Sequence, residues 1–157
     1  DIMLLAMDVD GTLTDGRIYM GLSGESFKAF DAKDGLGIAK LLPMVGIVPV
    51  VITGRQSRIL ELRCKELGIE ELYQGVADKL PVLRKVAAKY DCRLENVAYI
   101  GDDLNDLDCI QAVRAEGGLT ACPSDAASEV IGAVGYVSPR TGGRGAIRDF
   151  IEQVAAR

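Results

Sequence analysis

The stretch Ile2-Met3-Leu4-Leu5-Ala6-Met7-Asp8-Val9-Asp10-Gly11-Thr12 passes from unbroken apolar to acidic in one step. An apolar run without alternation reads as a strand buried on both faces, the pattern of a parallel sheet covered by helices. In such sheets ligands bind beyond the carboxyl ends of the strands. Asp8 and Asp10 are therefore where chemistry is expected. Two carboxylates two positions apart point the same way if the extended geometry continues. Their repulsion is relieved by a cation between them, and a divalent metal with oxygen ligands suits that position. Gly11 lets the chain turn sharply. A surface acidic turn is the competing reading of an Asp-x-Asp-Gly loop, but the apolar strand before it and Thr12 after it weigh against that.

The same junction recurs downstream. Ile47 to Ile52 is a second apolar strand and ends in Thr53-Gly54-Arg55. Val97 to Ile100 is a third, ending in Gly101-Asp102-Asp103-Leu104-Asn105-Asp106. Between and after them, helices are predicted over Gly35–Met44, Gln56–Leu67 (stopped by Gly68), Asp78–Tyr90, Asn105–Val113 and Ala146–Ala156. Pro81 falls in the first turn of its helix, where proline is tolerated. Leu72–Gln74, Gly118–Ala121 and Tyr136–Val137 read as short strands. Arg17 to Asp31 reads as a hairpin, with Ile18-Tyr19-Met20 and Phe27-Lys28-Ala29-Phe30 flanking the turn residues Gly21 to Gly24. Strand and helix alternate, which predicts an α/β fold: a Rossmann-like, doubly wound parallel sheet with right-handed crossovers. One domain over residues 1–157 is expected, with a β-hairpin flap at about 17–31. Thr141-Gly142-Gly143-Arg144-Gly145 is the loosest segment.

Composition narrows the chemistry. Histidine is absent, which removes Ser-His-Asp and Cys-His catalysis and most zinc sites. Carboxylates, lysine, hydroxyls and metal remain. The net charge of −5 argues against nucleic acid or an anionic membrane as partner. No run approaches the ~20 apolar residues of a membrane helix. The cysteines Cys64, Cys92, Cys109 and Cys122 form no CxxC pair and read as reduced thiols of a cytoplasmic protein. No signal peptide is legible.

The polar residues at the strand ends form one candidate site. Asp8, Asp10 and Asp102 supply oxygen for a metal, with Asp103 and Asn105 beside them. Asp103 and Asn105 also fit a helix-capping cluster. Thr53 and Gly54 offer a hydroxyl and an amide to a phosphate oxygen, and Lys79 offers charge, although Thr53 alone suits a cap and Lys79 alone a solvated helix face. Lys33, Arg55, Arg63 and Arg144 are candidate anion contacts or ordinary surface charge. Asp108 and the pair Glu70-Glu71 read as surface.

Taken in order, DxDGT at Asp8–Thr12, Thr53, Lys79 and GDDxND at Gly101–Asp106 resemble the haloacid dehalogenase superfamily of phosphohydrolases. The resemblance implies that Asp8 is the nucleophile and forms an aspartyl phosphate. It implies that Asp10 is the general acid and base and offers its backbone carbonyl to Mg2+. Asp102 would be a metal ligand, Asp103 and Asn105 would support the metal and its waters, and Thr53, Gly54 and Lys79 would hold phosphate. The intervals Asp10–Thr53 and Thr53–Lys79 are too short for a cap domain, so a capless member is expected. Among capless members the chain is most similar to phosphatases of 3-deoxy sugar-acid phosphates, through Asp15–Met20, Lys28–Phe30, Asp34–Ile38, Thr53–Arg55, Arg63-Cys64, Leu72–Gly75, Lys79-Leu80, Asn96–Asp103 and Gly142–Ala146. That implies a homotetramer built through the hairpin, a small phosphorylated sugar acid as substrate and a place in lipopolysaccharide precursor synthesis. Asp31, Ala32, Lys33, Asp34, Gly35, Arg55 and Arg63 would meet the sugar acid, and Arg144 would reach a neighbouring site. Arg55 favours an eight-carbon over a nine-carbon acid. Ala39 stands where a basic residue is expected, which leaves the choice of acid open. Two other readings compete. A signalling receiver domain shares the Thr and Lys, but its phospho-acceptor ends the third strand. A non-catalytic assembly domain would not need Asp8, Asp10, Thr53, Lys79 and Asp102 intact.

Overall fold

The computed structural model describes every residue from Asp1 to Arg157. In chain order the strands are β1 (Leu4–Met7), β2 (Tyr19–Gly21), β3 (Gly24–Phe27), β4 (Val48–Ile52), β5 (Glu71–Tyr73), β6 (Val97–Ile100), β7 (Leu119–Cys122) and β8 (Tyr136–Val137). The helices are α1 (Ala32–Leu36), α2 (Leu42–Met44), α3 (Arg58–Leu67), α4 (Lys79–Lys89), α5 (Leu107–Ala115), α6 (Ser128–Ala133) and α7 (Ala146–Ala155). Six strands make one sheet in the order β5-β4-β1-β6-β7-β8, and every pair in it is parallel. β2 and β3 form a separate antiparallel hairpin. The chain winds outward from β1 to β4 and β5, then returns to the other side of β1 with β6. That reversal puts the topological switch point at the carboxyl end of β1, where Asp8 stands.

β1 is sealed from water along its whole length. Its side chains alternate between two cores, as strand geometry requires. Leu5 and Met7 join Ile38, Leu42, Leu60, Ile147 and Ile151 on one face. Leu4 and Ala6 join Leu83, Val86, Ile110 and Val113 on the other. Each fully buried leucine contributes about 1.5–3 kcal/mol relative to exposure, so the strand that carries the acidic motif is also the best-anchored element.

Several boundaries differ from the sequence reading. The first helix starts at Ala32 rather than Gly35. Asp31 caps it, its Oδ1 accepting the amides of Lys33 and Asp34 at 2.8 and 3.0 Å, so residues 31–35 form a helical turn. A π-helical turn over Gly37–Leu41 joins α1 to α2. The hairpin is shorter than expected: its ladder is irregular between Tyr19 and Met20 and ends at the Tyr19–Phe27 pair, which leaves Lys28–Phe30 outside the strand. Ser57, not Thr53, caps α3, its Oγ accepting the Leu60 amide at 3.2 Å. Glu71, read as surface, is buried. Its carboxylate accepts hydrogen bonds from Lys89, Tyr73 and Tyr90. Tyr73 lies on the same strand, but Lys89 and Tyr90 come from the end of α4, and nothing beside Glu71 in the sequence announces them. The short α6 has too few residues for a periodic signal.

Candidate active site

Strand register sets the depth of the site. Met7 lies level with Val51 on β4 and Ile100 on β6. Asp8 therefore stands beside Ile52 and Gly101, and Thr53 and Asp102 are one step nearer the rim. Lys79, the first residue of α4, reaches the same point from the side. Its Nζ donates to Asp8 Oδ1 at 2.8 Å and to Asp106 Oδ1 at 2.9 Å, and its side chain is only 1% exposed. Asp106 has no exposure at all. Its Oδ1 also accepts the Tyr99 hydroxyl at 2.6 Å, and its Oδ2 accepts the amides of Asp102 and Asp103 at 3.0 and 3.2 Å. Thr12 Oγ1 donates to Asp102 Oδ1 at 3.1 Å. A Cβ on Gly11 would run into the Asp102 carboxylate. Gly11 also has a φ of +91°, in the region where side chains are disfavoured. Both facts require glycine there.

The inner cluster is short of positive charge. Oxygens of Asp8, Asp102 and Asp106 lie within 4.8 Å of one another, with Lys79 as the ammonium among them. Three carboxylates against one ammonium leave two charges unmatched. Burial raises the Asp8 carboxyl above its ordinary value, and the charge of Asp106 adds to that, against the pull of Lys79. Asp102 is pushed up to about 9, by burial first and then by its hydrogen bond to Asp8 and the charge of Asp8. Burial would lower Lys79, but Asp8 and Asp106 together raise it above its ordinary value and keep it charged. A divalent cation with oxygen ligands would meet the two unmatched charges. Asp106 has both oxygens committed to four donors, so the ligands left for a metal are Asp8 and Asp102.

A second charged layer lies above the first. Lys28, just past the hairpin, donates to Asp10 Oδ1 at 2.8 Å and pairs with Glu25 Oε2 at 2.9 Å. Glu25 Oε1 accepts the Ser57 hydroxyl at 2.9 Å. Arg55 sits farther off, 3.7 Å from Asp10 Oδ2 and 3.9 Å from Glu25, with 46% of its side chain exposed. Thr53 is buried, its amide donating to the Tyr73 carbonyl at 2.9 Å, and Gly54 is exposed. The glycine-rich segment closes the site from behind. The Gly143 amide donates to the Thr12 carbonyl at 3.1 Å. A Cβ on Gly142 would strike the Gly11 carbonyl, and one on Gly143 the backbone at Thr14 and Asp15.

A family model described as haloacid dehalogenase-like hydrolase matches residues 65–151. The 3-deoxy-D-manno-octulosonate 8-phosphate phosphatase of Yersinia pestis is 44% identical over 154 residues, covering 98% of this chain and 80% of that protein. The chain belongs to the haloacid dehalogenase-like hydrolases. Among solved structures, that of the Yersinia pestis phosphatase superposes with a TM-score of 0.91 at 43% identity, covering 99% of this chain and 81% of that one. The phosphatase from Moraxella catarrhalis, solved with magnesium, phosphate and KDO, superposes with a TM-score of 0.91 at 39% identity, covering 99% and 86%. This haloacid dehalogenase-like hydrolase is thus a phosphatase with the α/β architecture expected from its sequence.

Within this member of the family, the residues expected to meet a sugar divide into three groups. Arg55 stands at the rim beside Asp10. Asp31, Ala32, Lys33 and Arg144 line a separate groove of about 500 Å³ with Arg140 and Arg148. Asp34, Gly35 and Arg63 are turned inward. Asp34 is wholly buried and its Oδ1 accepts the Arg148 amide, so it is an internal cap rather than an exposed contact. Gly35 lies against the Arg63 guanidinium, which also stacks over Phe30 at 5.5 Å and pairs with Glu66 at 2.6 Å. Asp103 caps the turn after β6, accepting the Leu104 amide, and Asn105 is exposed. Sequence reasoning missed Asp106, Tyr99, Lys28 and Glu25. Asp106 sits at the third position of a capping box with Asp103, and that spacing could have singled it out. Nothing local marks Tyr99, Lys28 or Glu25.

Proposed function

We propose that the chain hydrolyses 3-deoxy-D-manno-octulosonate 8-phosphate in a magnesium-dependent reaction through a phosphoryl group carried on Asp8. The observation that supports the chemistry most is the pairing of Asp8 with the buried Lys79, beside an Asp102 carboxyl that lacks a positive partner. The substrate rests on near-full-length likeness to phosphatases of that name and on the KDO-bound relative. In this reading Arg55, exposed beside Asp10, meets the sugar acid. Asp10 is the acid–base group, and Thr53, Gly54 and Lys79 surround the phosphate.

The Asp8 carboxylate attacks phosphorus as the bond to the sugar oxygen breaks. Asp10 gives its proton to that oxygen. A water then attacks the aspartyl phosphate, Asp10 takes its proton, and phosphate leaves with Asp8 restored. Lys79 holds the Asp8 carboxylate against rotation and offsets charge on the phosphoryl oxygens. Magnesium, when held by Asp8, Asp102 and the Asp10 carbonyl, neutralises developing negative charge as a Lewis acid.

Copies of this chain assemble through the hairpin, as a tetramer in this reading, since Met20, Leu22 and Phe27 stand exposed on it. Free cysteines fit a cytoplasmic workplace, and no helix is long and apolar enough to cross a membrane. The deciding experiment is phosphate release, with magnesium, from the eight-carbon and nine-carbon 3-deoxy sugar-acid phosphates, a hexose 6-phosphate and an aryl phosphate. A strong preference for the eight-carbon acid is expected. Release from the aryl ester alone would remove the substrate, and release from none would remove the activity.

A further inference from the structure

Lys28 presents a problem that the proposed chemistry does not solve. It follows a surface hairpin, yet its side chain is 3% exposed. Desolvating an ammonium is costly unless it is paired. Lys28 meets that cost with two carboxylates, Asp10 at 2.8 Å and Glu25 at 2.9 Å. Glu25 is held in turn by the hydroxyl of Ser57 at 2.9 Å, the residue that caps α3. A continuous chain of polar contacts therefore runs Ser57–Glu25–Lys28–Asp10. It begins at the loop after β4, crosses the hairpin and ends on the acid–base carboxylate.

The geometry of that chain decides what Lys28 can do. Its Nζ is enclosed between two carboxylates, which leaves no open face for a substrate. Asp10 stands one residue before Gly11, in a loop that turns through a positive φ. Its side chain accepts no hydrogen bond other than that of Lys28, and Arg55 approaches its second oxygen only to 3.7 Å. An unheld carboxylate at the end of such a loop samples several rotamers. Proton transfer needs the heavy atoms within about 2.6–3.2 Å of each other. A carboxylate fixed through Oδ1 presents Oδ2 in one direction only.

We propose that Lys28 is a positioning residue for Asp10 and that Glu25 holds Lys28, so that the β2–β3 hairpin of the same chain completes the acid–base half of the site. The hairpin then does more than offer apolar surface, because its docking onto Ser57 sets the orientation of Asp10. This inference rests on the assignment of Asp10 as the acid–base group.

The test is a double-mutant cycle on phosphate release from 3-deoxy-D-manno-octulosonate 8-phosphate with magnesium, using Lys28→Met, Asp10→Asn and the pair. Asp10→Asn alone is expected to lower kcat at least ~100-fold, the scale of acid–base catalysis. Unchanged kcat in that variant would overturn the role of Asp10 and the inference with it. Lys28→Met is expected to lower kcat roughly 10- to 100-fold with KM within about threefold, and to have no further effect in the Asp10→Asn background, because groups acting as a unit are not additive. Lys28→Arg is expected to restore kcat to within about tenfold of wild type. Equal losses in both backgrounds, or a loss expressed in KM alone, would leave Asp10 in place and overturn only the role of Lys28. Glu25→Gln covers the case in which Lys28→Met does not fold. It keeps the acceptor for Ser57 but removes the charge that anchors Lys28, and a fall in kcat of about three- to tenfold is expected. Wild-type kcat in Glu25→Gln would overturn the chain of contacts.

Discussion

The carboxylate of Asp34 accepts the backbone N–H of Arg148 at 2.9 Å, capping from another element a helix whose own preceding residue, Gly145, has no side chain to offer. The four leading amides of a helix need acceptors, and here α1 supplies one to α7. The second oxygen of Asp34 is buried without a partner. Burial is the main reason that its carboxyl is raised to about 6.

That shift has a defined sign. The folded state holds the Asp34 proton more tightly than the unfolded state, whose carboxyl titrates near 3.8. Asp34 therefore favours folding most at low pH, and its contribution is lost as pH rises from about 4 to about 6, by roughly 3 kcal/mol. Asp34→Asn keeps an acceptor for Arg148 and cannot ionise. It is expected to remove that slope and to stabilise the protein near pH 7. Urea unfolding of both proteins at pH 4, 5, 6 and 7 measures it, and parallel curves would show that Asp34 is not the titrating group. Asp34→Ala, which loses the cap, is expected to cost about 1–2 kcal/mol at pH 4.

Asp8→Asn is expected to abolish steady-state turnover, by at least ~1,000-fold, while the fold persists. Lys79 keeps Asp106 as its partner in that variant, so the inner charge is not orphaned. Thermal melting together with phosphate release tests both halves. Wild-type turnover would remove Asp8 from the mechanism.

Asp106→Asn should behave differently. It withdraws the charge shared by Lys79 and Tyr99 and replaces an acceptor of the Asp102 and Asp103 amides with a possible donor. A loss of about 3 kcal/mol or more is expected, as for a broken buried pair, with activity falling in the molecules that still fold. Denaturant midpoints read the first effect. A variant as stable as wild type would mean that Lys79 is satisfied without Asp106.

Gly142→Ala is expected to push the Gly11 carbonyl out of place. Overpacking of this kind costs about 1–3 kcal/mol, and because Gly11 abuts Asp102, kcat is expected to fall by at least about tenfold. Gly132→Ala, where nothing stands within 4 Å of the added carbon, is the control and should leave kcat unchanged.

Chelation of divalent metal is expected to stop turnover, and added magnesium to restore it. The thermal midpoint should rise with magnesium in wild type, as for any ligand of the native state. The rise should be smaller in Asp102→Asn. A full-sized shift in that variant would remove Asp102 from the ligand set.

The sheet and the rim of the site were legible because both follow from local pattern. An apolar run that ends in a polar residue marks a strand and its carboxyl edge together, and this held at Asp8, Thr53 and Asp102. Lys79 was legible only as a charge at the start of a helix, and its burial depends on Asp106, which arrives from another strand end. The inward turn of Asp34 and Arg63 was hidden for the same reason. Asp34 is polar and stands in a polar segment, and nothing near it in sequence announces that α7 will need a cap. Nothing in the hairpin sequence singles out Glu25 and Lys28, because Ser57 and Asp10, which bury them, lie elsewhere in the chain.

The bond from the Gly143 amide to the Thr12 carbonyl ties the segment before α7 to the loop after β1. During synthesis the loop that holds Asp8 and Asp10 leaves the ribosome before its partners, and β1 waits for β4 and then for β6 before it is paired on both sides. Even then the loop lacks its backing until the glycine pair has emerged and docked. A ribosome-bound chain halted after β7 would carry Asp8, Thr53, Lys79 and Asp102 and still hold its acidic loop loosely. Competence for catalysis would thus wait for the glycine pair to dock and arrive abruptly, not as the gradual sum of its parts.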